Sequence, residues 1–205
     1  MPSIPLKPGS NRQVVITDNM LAFKNWKVLL DDVTGLSFGL YSMQGSLSNS
    51  GAYIYVRTAS SVHKIATKNF GVFGYLEGKD NMQEIIDAIR QAVAPCLLRS
   101  FSTYIFDRRI PVDIGRFTLS SVGLSYRGLT GTTCVAWKFK PTCRTTSKIR
   151  WLTGGTAYGV QEVSYFNPQT GRDVVLGTVS SSDMNGFLLP VILEIIGNVL
   201  TKGTP

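Results

Sequence analysis

Histidine is almost missing from this chain of 205 residues, with His63 the only one. Proton-transfer catalysis near neutral pH relies on histidine more than on any other side chain, so one such group at most is on offer. Zinc-ligand spacing, a calcium-binding loop and a phosphate-cradling glycine loop are all lacking. No metal and no cofactor is expected. Cysteine is scarce too. Cys96, Cys134 and Cys143 are odd in number and have no C-x-x-C spacing, which fits free thiols in a reducing compartment.

Long apolar runs are also absent. The longest stretch, residues 187–200, is interrupted by Glu194 and falls short of the roughly 20 residues that span a bilayer. Residues 1–8 lack the apolar core of a signal peptide and hold too much proline for an amphipathic transit helix. The expected location is the cytoplasm, with a virion or the inner face of a membrane as further settings.

No linker-like tract or charge block separates two halves, and no internal repeat is visible. The reading is a flexible Pro-rich arm over residues 1–12, with Pro2, Pro5 and Pro8, followed by one globular domain over 13–205.

What is present is mostly strand. Segments rich in β-branched and aromatic residues fall at Gln13–Ile16, Leu36–Met43, Ala52–Arg57, Val62–Thr67 and Phe70–Leu76. Leu21–Leu30 suits a helix or a strand equally. A capping pattern at Asp80 and Gln83 starts a helix whose apolar stripe is Met82, Ile85, Ile86, Ile89 and Val93, with Pro95 expected to kink or end it. Strands resume at Thr103–Phe106, Arg116–Arg127, Thr132–Phe139, Ser147–Leu152, Gly159–Phe166 and Asp173–Ser180, with a turn at Asn167–Gly171. A last helix, Pro190–Leu200, is apolar nearly all round and is expected to be buried in the core or against a second subunit. Short connections imply antiparallel pairing, so the expected class is α+β: mainly antiparallel strands packed against an amphipathic central helix and an apolar C-terminal helix.

Charge is unevenly spread. Residues 108–150 hold nine cations against Asp113 alone, while the remaining chain carries twelve charges of each sign. The whole net charge of +8 therefore resides in that segment. Such a field draws in polyanions or anionic membrane surfaces. If Thr132–Lys140 pairs with Ser147–Leu152, alternation puts Lys138, Lys140, Lys148 and Arg150 on one face over Trp137, Phe139 and Trp151. Arg144 in the connecting loop, with Arg116 and Arg127, completes the expected anion-binding set.

Candidates for chemistry are few. Gly35-Leu-Ser-Phe-Gly39 matches the G-x-S-x-G nucleophile turn, but it continues as a strand where a helix should open. Residues 2–7 fit a P-x-x-P-x-K ligand pattern that short sequences often show by chance. The leading expectation is a non-enzymatic structural or assembly protein, coat- or matrix-like in character. It would pack against its own copies and contact nucleic acid or anionic lipid, with no small-molecule substrate. The alternatives are a small hydrolase using Ser37 or a cysteine with His63, and a protein-interaction module.

Overall fold

Alternation decides the first elements. Val14 and Ile16 are buried while Gln13 and Val15 are not, the pattern of a strand with one wet face. The computed structural model describes residues 3–6, 12–42, 49–145 and 160–202. Its described residues divide into two compact units, one between Ser3 and Leu97 and the other between Leu98 and Lys202.

In the first unit, β1 (Ser3–Pro5), β2 (Gln13–Ile16), β3 (Met20–Phe23) and β4 (Trp26–Leu29) form an antiparallel meander in that order. Part of the expected arm is thus a paired strand, with Ile4 and Leu6 buried. The ambiguous Leu21–Leu30 segment resolves into the β3–β4 hairpin, turning at Lys24 with a left-handed φ of 54°. A 3₁₀ turn, Leu30–Asp32, buries Leu30 and leads into a second meander. This consists of β5 (Val33–Ser42), β6 (Asn49–Thr58) and β7 (Val62–Phe70).

The central helix α1 runs from Gly71 to Ser102, which corrects two expectations. Residues 71–76 are helical although their composition favours a strand, because local propensity is weak beside the gain from extending a helix already nucleated. Asp80 consequently lies in the helix interior and not at its N-terminus. Pro95 does not end the helix, which continues to Ser102. It sits exposed, and the missing N–H bond is offset by the buried Val93 and Leu97 on either side. Gln83 donates from Nε2 to Asp87 at 3.0 Å, one turn on, and Asp87 also pairs with Arg90 at 3.5 Å.

The second unit starts within α1. Thr103–Phe106, expected as a strand, falls in a π-helical turn, Thr103–Asp107, that buries Ile105. A meander of β8 (Val112–Ile114), β9 (Phe117–Leu119), β10 (Gly123–Arg127) and β11 (Thr132–Ala136) follows, so the expected strand Arg116–Arg127 is really two. A 3₁₀ turn, Trp137–Phe139, leads to β12 (Thr142–Thr145), β13 (Gln161–Asn167) and β14 (Arg172–Val179). The expected turn at Asn167 is present, closed by Gly171 N–H on the Asn167 carbonyl at 2.9 Å. Another 3₁₀ turn, Gly186–Leu188, precedes α2 (Leu189–Lys202). This helix is one-sided: Leu189, Ile192, Leu193 and Ile196 are buried, whereas Val191, Ile195 and Val199 are exposed at four-residue spacing.

The two units repeat one plan: a four-stranded meander, a 3₁₀ turn with a buried apolar anchor, a three-stranded meander, then a helix. The anchors are Leu30 in the first and Trp137 in the second. The fold is α+β, built from four antiparallel sheets and two α-helices among the described residues.

Candidate anion-binding surface

Register in the second unit creates a concentrated positive end. Phe117 pairs directly with Tyr126, their rings 4.9 Å apart and Phe117 fully buried. The next position outward sets Arg116 beside Arg127, where the Arg127 N–H donates to the Arg116 carbonyl at 3.0 Å. Both side chains are exposed. Neither forms an ion pair among the described residues. Asp113, the lone acid of the basic segment, accepts a hydrogen bond from Thr118 Oγ1 at 2.6 Å. Two like charges side by side cost a few tenths of a kcal/mol up to about 1 kcal/mol.

Beyond this pair the chain turns through Gly128, Leu129, Thr130 and Gly131. Gly128 N–H donates to the Gly131 carbonyl at 2.8 Å, and Gly131 adopts φ 141°, a conformation open to glycine alone. Leu129 at the tip is 97% exposed. The sequence marks this tip only as an apolar residue close between two turn glycines.

The remaining cations are distributed differently from the expected hairpin. The expected partner of Thr132–Lys140, Ser147–Leu152, lies outside the described residues. β11 ends at Ala136 and pairs with β10, and β12 pairs with β13, so Trp137–Phe139 is not strand. The cause is Trp137. Its indole is 6% exposed and donates from Nε1 to the Ser120 carbonyl at 2.9 Å. That anchor bends the chain into a 3₁₀ turn, and Lys140 then takes a left-handed φ of 47° before Pro141. Cations still point outward: Lys138 and Lys140 are exposed, and Phe139 packs on Tyr165 at 6.1 Å. They follow β11 at its far end, away from Arg116 and Arg127 by the length of that strand. Arg144, on β12, faces Asp173 at 4.0 Å and is thereby partly neutralised. Lys148, Arg150 and Trp151 lie outside the described residues.

The residues of the hydrolase alternative separate as well. Leu36, Val56 and His63 are partners across β5, β6 and β7, while Ser37 partners Tyr55 and Lys64. Alternation therefore places Ser37 and His63 on opposite faces of one sheet, and Ser37 is only 4% exposed. Ser37 cannot be activated by His63. Nor does it occupy a strand-to-helix elbow, being inside β5. His63 instead contacts Ser61, Oγ to Nε2 at 2.8 Å, and stacks on Trp26 with centroids 4.6 Å apart. Ser61 and His63 line a cleft of about 820 Å³ together with Lys27, Asp31, Asp32 and Thr58. Burial pushes the Cys143 thiol up to about 12, the reverse of an activated nucleophile.

Among the described residues no group of His, Cys, Asp and Glu could hold a metal ion, and no helix is long and apolar enough to cross a membrane. Comparison with protein-family models, curated proteins and solved structures finds no match to this chain.

Proposed function

We propose that this chain is a non-enzymatic binding protein that attaches to a polyanion, nucleic acid or anionic membrane, through the exposed cations of its second unit. The observation that carries the reading is the pair Arg116 and Arg127. They stand side by side, exposed, with no ion-pair partner among the described residues. Such an arrangement costs the isolated protein energy and returns it when an anion arrives. Lys138 and Lys140 extend the positive surface beyond the other end of β11. Contacts of this type neutralise phosphates and release counterions, so affinity should fall steeply with salt.

Charge reversal at Arg116, Arg127, Lys138 and Lys140 together tests this. Wild type should bind poly(U) or phosphatidylserine vesicles at low salt and lose them at high salt. The variant should keep its far-UV circular dichroism and lose most of that binding. Failure of wild type to bind either probe at low salt, or equal binding by the variant, would overturn the proposal.

A second reading rests on the Ser61–His63 contact in the 820 Å³ cleft. A hydroxyl within hydrogen-bond reach of an imidazole is the start of a nucleophile and base pair. Its competitor is structural: Ser61 Oγ also lies 2.9 Å from Thr58 Oγ1, closing the β6–β7 turn.

A further inference from the structure

The arginine pair has a neighbour that a nucleic acid would not use. Leu129, two residues beyond Arg127, projects from the β10–β11 turn and is 97% exposed. Phosphates account for Arg116 and Arg127, but they offer nothing to a leucine. Base stacking does not fill the gap either, because it needs a flat aromatic face. An anionic bilayer uses both features, with headgroup phosphates for the guanidinium groups and an acyl boundary for the apolar tip.

We infer that the end of the sheet formed by Arg116, Arg127 and the Gly128–Gly131 turn docks on an anionic membrane, Leu129 entering the acyl boundary. This rests on the polyanion reading and selects the membrane within it. The local geometry suits the task. The turn is narrow, with glycines at both ends and a single large side chain between them, so one leucine can enter without dragging a charged group along. The arginines flank its base, one strand apart. Asp113, the nearest acid in sequence to Arg116, is held by Thr118. Val122 provides a control inside the same sheet. It is 76% exposed in the β9–β10 turn, at the opposite end of these strands from Leu129.

The test is flotation of the full chain with phosphatidylcholine vesicles, with and without phosphatidylserine, beside a poly(U) binding assay. Wild type should float only with phosphatidylserine. Leu129→Asp should weaken that association by at least about tenfold, the equivalent of a leucine left in water. Arg116→Gln with Arg127→Gln should weaken it by about 30-fold, from about fivefold per surface charge. Val122→Ser, which removes an exposed apolar side chain without adding charge, should float like wild type. Binding to vesicles that Leu129→Asp leaves unchanged would overturn the membrane inference. So would binding of poly(U) alone, weakened by the arginine substitutions, but that outcome would leave the polyanion reading standing. Binding to neither probe would remove both.

Discussion

Gly177→Ala should loosen the second unit severely for the addition of one methyl group. Gly177 lies in β14 where the ring of Tyr126, from β10, crosses its backbone. A methyl group there would overlap Tyr126 Cε2 and Cζ and come 2.8 Å from the hydroxyl oxygen. The ring cannot step aside freely, because Phe117 is packed on it at 4.9 Å and is itself fully buried. Overpacking a core usually costs about 1–3 kcal/mol, and a rigid ring with a buried neighbour belongs at the upper end, about 3 kcal/mol. Two units need not unfold in one step, so local amide exchange is the suitable assay. Peptides covering β10 and β14 should exchange roughly 100-fold faster in the variant under native conditions, while β5–β7 should be unaffected. Adding Tyr126→Ala to Gly177→Ala should recover part of the loss, a coupling of about 2 kcal/mol. Wild-type exchange rates in Gly177→Ala would refute the close packing of Tyr126 on β14.

Two further outcomes follow from the thiols and from His63. Iodoacetamide under mildly alkaline conditions should label exposed Cys134 and spare Cys143 until the chain is unfolded, read by peptide mass. Because burial raises the Cys143 thiol from 9.0 to about 12, the unfolded chain loses that proton first, so stability should decline as pH rises through this window, and less so in Cys143→Ala. If Ser61 is a nucleophile, a fluorophosphonate probe should label it and His63→Ala should abolish the labelling. Absence of labelling in wild type assigns the contact to the β6–β7 turn.

Strands β2 and β6 were legible because burial alternates along them, with Val14 and Ile16, and Ile54 and Val56, on core faces as their spacing requires, whereas β5 is buried on both faces from Gly35 to Gly39. The start of α1 was not, since residues 71–76 carry strand-favouring side chains and are recruited by the helix that follows. Trp137–Phe139 misled for a related reason. Alternating aromatics and lysines describe a strand and a 3₁₀ turn equally well, and only the Trp137 hydrogen bond to Ser120 decides between them. Arg116 and Arg127 were both named from sequence, but their adjacency depends on the Phe117–Tyr126 register, which no local pattern contains. The repeated plan of the two units is not legible in the sequence because it lies in the order of elements and not in the residues. His63 stands out in the sequence as the one possible base, whereas its contact with Ser61 two positions away depends on the β6–β7 turn.

Hydrogen–deuterium exchange of the full chain, with and without phosphatidylserine vesicles at low salt, tests the central claim most directly. Protection should appear across the Gly115–Arg116 turn and the β10–β11 hairpin around Leu129, and it should vanish at high salt. Protection confined to β1–β7, or no change anywhere in the second unit while the vesicles are bound, would contradict it.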